Sequence, residues 1–399
     1  MRVSRSRLEG ESIVQRVNGI VQVRPEIARI EDYIPGESLD AFSMRTGVPV
    51  DRLIKLNSNE SPYPPSPRVA KAFGAFENYN LYPDPDGRAL IADISAYLGV
   101  APEHIVLSSG SNELITKLWS AFLAPGESVL LCSPTFSLYT TATTLANATI
   151  VDAPRTSTYD IDVHAIRAAL REDTKLIVLC SPNNPTGNLV SRADVEALLD
   201  TGRIVVVDEA YIEFAGDEAM AESPISLVPQ YENLVVLRTF SKWAGLAGLR
   251  LGYGAFPTWL TSHIRKLQLP FEVNLAAHIA AHETLADLPL MRERVATLMA
   301  ERDRLFELLS AQPYLRAYPS KGNFILAELT DPRLSLRELR ASMEAAGIIL
   351  RYFRTPDLAR HVRITVGAAE HTDALDRVLE GITARLSTMQ SEVVAASAR

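Results

Sequence analysis

Between residues 104 and 214 the chain repeats one local pattern: a short apolar run, a turn of small and polar residues, then a helix-like stretch. "HIVLSSGSNELITKLWSAFLA", "SVLLCSPTFSLYTTATTLA", "LIVLCSPNNPTG" with "SRADVEALLD" behind it, and "RIVVVDEAYIEF" all share it. Runs as apolar as "LIVLC" and "IVVV" are strands covered on both faces, and their alternation with helices predicts an α/β fold around a mainly parallel sheet. The residues at the end of each run are just as informative. Ser109–Asn112, Pro134–Phe136, Asn183–Gly187, Asp208–Tyr211 and Thr239–Lys242 all lie just past a strand's carboxyl end. Open α/β sheets bind ligands along that edge, so five polar loops there predict a single site.

The rest of the chain arranges itself around this centre. Residues 1–58 read as an N-terminal extension and arm that packs on a small lobe or on a partner. "YIPGESLD" and "LIKLNSNESPYPPSP" are proline-punctuated, and the residue before a proline is pushed away from helix. Residues 59–287 form the large domain. Residues 288–399 supply a linker helix and a small α+β domain: 288–313 carry one apolar stripe at helical spacing, and "NFILAEL", "GIILRYF" and "HVRITVG" read as strands. The tail "SEVVAASAR" is expected to fray.

A chain of 399 residues with 47% hydrophobic and 22% charged residues is an ordinary soluble composition. Its net charge of -8 argues against nucleic acid as a partner, and no apolar run approaches the ~18 residues of a membrane span. The arginine-bearing start has no apolar signal core behind it. Two isolated cysteines, Cys132 and Cys180, have no metal or redox spacing. The expected location is the cytoplasm.

The chemistry centres on "RTFSKWAGLAGLRLGYG", residues 238–254. Lys242 stands between a hydroxyl and a glycine-rich bend, with Arg250 eight residues on. A lysine in a partly dehydrated pocket has a lowered pKa and attacks carbonyls as the free amine. Pyridoxal 5'-phosphate is the aldehyde cofactor that uses such a lysine, and each of its needs has a candidate. Asp208 closes a buried strand and suits the pyridine nitrogen. Asn183 and Tyr211 can donate to the phenolic oxygen, and Phe136 offers a ring face. The backbone of Gly110, Ser111 and Asn112 opens a helix and suits a phosphate, with Ser241 and Arg250 closing over it. Each element has a plainer reading: an Asp at a strand end as a cap, "SPNNPTG" as a turn, Phe136 as core. Their order along one edge is what points to a site.

"SPNNPTG", "VVVDEAYIEF" and "RTFSKWAGLAGLRLGYG" resemble the fold-type I pyridoxal-phosphate-dependent aminotransferases, whose large domain has a seven-stranded sheet. "DYIPG", "LNSNESPYPP", "LYPDPDG", "GIILRYF" and "HVRITVG" make the chain similar to the histidinol-phosphate aminotransferase family, from about Tyr33 to Leu379. The resemblance implies a Schiff base and proton transfer at Lys242, and a homodimer with shared sites in which Tyr82 reaches the partner's cofactor phosphate. It assigns substrate binding to Arg363 with its companion Arg351, and to Tyr33 and Asn59 from the arm. The implied substrates are glutamate/2-oxoglutarate and histidinol phosphate with its keto partner, imidazole-acetol phosphate, in histidine biosynthesis. Asn112 stands where the family often has an acid, and Phe136 where it often has a tyrosine. Rival readings are an aromatic amino-acid aminotransferase, a threonine-phosphate decarboxylase of the same fold, or a cofactor-bound regulatory module without turnover. His278 and His282, four apart on a helix, are read as packed or solvated histidines and not as metal ligands.

Overall fold

The computed structural model describes residues 23–28, 30 and 37–397, with side chains to residue 388. The described residues hold twelve strands. β1 (Ile54–Leu56) belongs to the arm; β2 (Ile105–Ser108), β3 (Ser128–Leu131), β4 (Thr149–Asp152), β5 (Thr174–Cys180), β6 (Ile204–Asp208), β7 (Leu234–Thr239) and β8 (Gly252–Ala255) form the large domain. β9 (Leu315–Ala317), β10 (Phe324–Leu329), β11 (Ile348–Tyr352) and β12 (His361–Thr365) form the small one.

The large sheet has seven strands in the order β2-β8-β7-β6-β5-β3-β4. All neighbours are parallel except β8, which runs antiparallel to β2 and β7. Its strands are buried on both faces, and alternate residues enter opposite cores. Leu130, Ile177, Val205, Val207 and Val236 pack on one side; Val129, Val178, Val206, Val235 and Leu237 pack on the other. This is the two-faced burial that near-continuous apolar runs require. Strand order reverses about β5, β6 and β7, so their carboxyl ends meet at one crevice.

The small sheet has the order β1-β11-β12-β10-β9. The arm joins it directly, because β1 pairs in parallel with β11 through Ile54↔Ile348 and Leu56↔Leu350. The remaining pairs are antiparallel. Helix Leu288–Ser310 connects the lobes, starting at the residue that the apolar stripe indicated. Arg302 on it donates to Phe214 O at 2.7 Å, which fastens the connector to the large domain. Two segments depart from the sequence reading. Leu39–Thr46 is helical, capped by the Ser38 side chain and closed by left-handed Gly47. The last helix runs Ala369–Ser397 through the tail expected to fray, which contains no glycine or proline to stop it.

Candidate active site

Lys242 sits in the turn after β7. Its Nζ donates to Ser58 O at 3.1 Å and lies 5.8 Å from the centre of the Tyr211 ring. Burial, then the charge of Arg363, lower its pKa to about 8; Glu60 opposes this, and Arg250 and Lys55 lower it further by smaller amounts. Charging a cation beside other cations in a partly dehydrated pocket is unfavourable, so a usable fraction is free amine near neutral pH.

Asp208 is buried at the end of β6. One carboxyl oxygen accepts from the Tyr139 hydroxyl at 2.8 Å and the other from Ala210 N at 3.2 Å. Burial raises its pKa to about 6 despite these bonds. A carboxyl short of positive charge is a good receptor for a protonated ring nitrogen. Tyr139 is a participant that the sequence reading missed. Its signal was its position, three residues past Phe136 on one helix, where the two rings meet edge-on at 5.6 Å. Phe136 thus contacts the tyrosine that bonds Asp208.

Tyr211 comes next in the same loop. Its hydroxyl accepts from Asn59 Nδ2 at 3.1 Å. Asn59 is buried and held at φ +52°; its N–H donates to Thr365 Oγ1 and its Oδ1 accepts from the same hydroxyl. The arm residue is thereby clamped between both lobes.

The neighbouring asparagines divide differently from the expectation. Asn183 is occupied within its own loop region: its Nδ2 donates to Pro134 O and Thr186 Oγ1, and its Oδ1 accepts from Thr135 Oγ1. Both of its N–H donors are engaged within the protein. Asn184 instead meets Arg363, whose Nη1 donates to Asn184 Oδ1 at 2.6 Å. Its own Nδ2 has no protein acceptor among the described residues. In a doublet of identical residues on a turn, spacing alone could not decide which amide points inward.

Arg363 is buried on β12, donates through Nη2 to Asn57 O at 2.7 Å, and lies over the Phe324 ring at 5.5 Å. Phe324 contacts Tyr211 edge-on at 5.1 Å, which continues the wall to Lys242. Arg351 is directly opposite Arg363 on β11. It forms no hydrogen bond or ion pair among the described residues. Like charges opposed across a sheet repel, and an anion bound between the two guanidinium groups would relieve that repulsion.

A second anion cradle lies at the start of helix Ser111–Phe122. Its first N–H groups, on Ser111 and Asn112, have no partner within the helix. Gly110 has φ +87°, and a Cβ there would stand 2.7 Å from Arg250 Nη2. The arginine thus closes over the turn only because that residue is glycine. Arg250 donates through Nη1 to Ala247 O, leaving Nη2 open toward the turn. Ser241 Oγ accepts from Thr239 Oγ1 and retains its own hydrogen.

The remaining expected residues fall elsewhere. Tyr33 lies outside the described residues. Tyr82 is 78% exposed and stacks on Phe271 with ring centres 4.2 Å apart. It is far more open than a tyrosine serving its own chain's pocket. His282 pairs with Asp93 at 2.7 Å, and His278 packs against Gly87. Among the described residues no helix is long and apolar enough to cross a membrane.

The family model for aminotransferase class I and II matches residues 51–382. The histidinol-phosphate aminotransferase of Roseiflexus castenholzii is 44% identical over 367 residues, covering 90% of this chain and 98% of that protein. The chloroplastic histidinol-phosphate aminotransferase of Nicotiana tabacum is 37% identical, covering 92% of this chain and 88% of that one. A solved histidinol-phosphate aminotransferase of Sinorhizobium meliloti, in complex with pyridoxal-5'-phosphate, superposes with a TM-score of 0.82 at 24% identity. That likeness covers 93% of this chain and all of the other, and it speaks for the fold. With a lysine of lowered pKa at the carboxyl edge of the large sheet, near Arg363 of the small sheet and Arg250 of the large domain, the chain belongs to the class I and II aminotransferases and, within them, to the histidinol-phosphate aminotransferase family.

Proposed function

We propose that this chain is a pyridoxal-phosphate-dependent aminotransferase that moves an amino group between glutamate and imidazole-acetol phosphate, giving 2-oxoglutarate and L-histidinol phosphate in histidine biosynthesis. The observation that carries the reading is the pairing of Arg363 with Arg351, opposed on adjacent strands beside Lys242. Two adjacent guanidinium groups, Arg363 held by Asn184 and Asn57, can bind either a carboxylate or a phosphate in fork geometry, as a site alternating between an amino acid and a phosphomonoester must.

The residues fit the cofactor. Arg250, Ser241 and the turn at Gly110–Asn112 suit its phosphate, and the glycine under Arg250 leaves that cradle open. Asp208 would hold the ring nitrogen protonated. Tyr211 and Asn184, the latter in place of Asn183, would donate to the phenolic oxygen, and Phe136 would cover the ring. When bound, the group supplies an aldehyde that receives the amino group and a cationic ring that accepts the electron pair of the broken α-C–H bond. Lys242, as free amine, would take the proton from the substrate's α-carbon and deliver it to the carbon that had been the cofactor's aldehyde. Arg363 orients the substrate anion so that the C–H bond faces Lys242, and Asn184 fixes the arginine's plane.

The unit of function is a homodimer. Tyr82 and Phe271 form an exposed aromatic stack beside the exposed Leu81 and Leu269, a surface suited to burial against a second copy. Tyr82 would then reach the partner's cofactor phosphate. Free, buried Cys132 and Cys180 suit a reducing cytoplasm.

The experiment is a half-reaction: purified protein with pyridoxal phosphate, given L-histidinol phosphate and no amino acceptor. The expected result is a change in the cofactor's visible absorbance, with imidazole-acetol phosphate formed stoichiometrically. A response to phenylalanine alone, or to threonine phosphate with carbon dioxide release, would transfer the function to a rival of the same fold.

A further inference from the structure

Arg363 and Asn184 belong to different lobes, and their 2.6 Å bond needs both lobes in register. A second inter-lobe contact accompanies it. Tyr159 of the large domain and His361 of β12 lie 3.0 Å apart, Oη to Nε2, the tyrosine donating when the ring carries its proton on Nδ1. Tyr318 completes an aromatic box: its ring meets Tyr159 edge-on at 4.9 Å and stacks with His361 at 6.0 Å, while its hydroxyl donates to Glu328. Burial lowers the His361 pKa, so the ring is neutral at pH 7; Glu328, Arg316 and Asp357 are the charged groups facing it.

The loop presenting Tyr159 is unusually well built for a surface connection. Tyr159 itself has φ +65°, a conformation that disfavours a bulky residue. It is held by Arg155, which donates to Cys132 O and Tyr159 O, and by Thr156 N bonded to Asp160 O. Asn188 Nδ2 then donates to Thr158 O and Asp160 Oδ1. Asn188 also accepts, through its backbone carbonyl, from Asn183 N, at the base of the turn that carries Asn184.

These bonds close a ring. From Tyr159 it passes to His361, two residues along one face of β12 to Arg363, across to Asn184, down the turn to Asn188, and back to the Tyr159 loop. We propose that Tyr159 and His361 are positioning residues for the substrate anion: they lock β12 against the Asn183–Asn188 turn and thereby hold Arg363 at the angle that grips a carboxylate or phosphate. Strain in the Tyr159 backbone persists because the closed ring compensates for it. The inference rests on the proposed role of Arg363 and adds residues remote from the cofactor.

The test uses the cofactor-loaded enzyme, so that the other cradle is filled, and two readouts. One is steady-state turnover of L-histidinol phosphate with 2-oxoglutarate; the other is calorimetric binding of inorganic phosphate, which needs no turnover. Tyr159→Phe keeps the aromatic box and deletes the hydroxyl. It is expected to raise the KM for histidinol phosphate and the Kd for phosphate about tenfold, with kcat within about twofold and the melting temperature nearly unchanged. His361→Gln, which retains a hydrogen-bonding amide, is expected to keep more affinity than His361→Ala. Combining Tyr159→Phe with Asn184→Ala is expected to weaken phosphate binding little beyond Asn184→Ala alone, because both act through Arg363. Unchanged KM and Kd in Tyr159→Phe, or additive losses in the double variant, overturn the proposal. If histidinol phosphate is not a substrate and phosphate affinity still depends on Tyr159, the functional reading falls and the positioning role stands.

Discussion

Replacing each member of the Asn183–Asn184 doublet separates two roles that look identical in sequence. Asn184→Ala removes the acceptor 2.6 Å from Nη1 of buried Arg363. A hydrogen bond to a charged group is worth about 1.5–3 kcal/mol, which at about 1.4 kcal/mol per decade is roughly a 10- to 150-fold loss in kcat/KM. Loss of the Asn184 amide donor would add to this. Asn183→Ala instead deletes neutral bonds to Pro134 O, Thr186 Oγ1 and Thr135 Oγ1. At about 1 kcal/mol each, the three together are about 3 kcal/mol of folding stability. The assays are turnover of L-histidinol phosphate with 2-oxoglutarate and urea unfolding of each variant. Asn184→Ala should lose activity with a small shift in midpoint, and Asn183→Ala should lose stability with kcat/KM within a few fold. If Asn183→Ala is the more damaging to kcat/KM, the assignment of the inward amide is wrong.

Charge and exposure set three further outcomes. Lys242 has its pKa lowered from 10.5 to about 8, so the rate at which cofactor-free protein captures pyridoxal phosphate should rise with pH through about 8 and then level; a rate still climbing steeply near pH 10 would contradict the depressed amine, and Lys242→Ala should abolish transamination without unfolding the chain. Asp208 has its pKa raised from 3.8 to about 6, so without cofactor its ionisation opposes folding above pH 6 and has no effect below 3.8. Asp208→Asn should therefore stabilise the cofactor-free protein at pH 8 by up to about 3 kcal/mol, a difference that vanishes near pH 3.5, while activity collapses; thermal melts across pH decide it. Tyr82→Ala should leave the fold intact but weaken cofactor binding, and wild-type protein should sediment at twice the chain mass; a monomeric wild type with full activity would refute the shared site.

The alternation of strands and helices was legible because doubly covered strands leave near-continuous apolar runs, and the site was legible because its loops share the carboxyl edge. Lys242, Asp208, Tyr211, Arg250 and the Gly110 turn follow from chemistry that few residue types can supply. What stayed hidden depends on where side chains turn. The choice of Asn184 over Asn183 is a matter of one peptide's direction. Tyr139 is buried among apolar residues, but its hydroxyl is bonded to Asp208. The apolar run before Lys242 reads as ending at Arg238, yet the strand continues to Thr239. Arg238 is tolerated there because its buried guanidinium pairs with Glu209 at 2.9 Å and donates to Ser223 Oγ at 3.0 Å. A charge with its partner just past the neighbouring strand does not end a strand, and no local pattern reveals that partner.

The two anion cradles also explain why Lys242 is reactive. After burial, the charge that lowers its pKa most is Arg363; Arg250 and Lys55 add smaller lowering effects, and Glu60 opposes them. In a chain of net charge -8 this concentration of cations is local and deliberate. The same positive field enlarges the fraction of Lys242 present as free amine near neutral pH, the form that captures an aldehyde. On the proposed function, a phosphate held by Arg250 would neutralise part of that field and raise the lysine's affinity for a proton, favouring its role as proton carrier. A substrate anion on Arg363 adds to the effect at the moment the α-C–H bond must be attacked. On that proposal the residues that would bind the anions also set the basicity of the lysine, and neither task could be moved to a distant arginine without weakening the other.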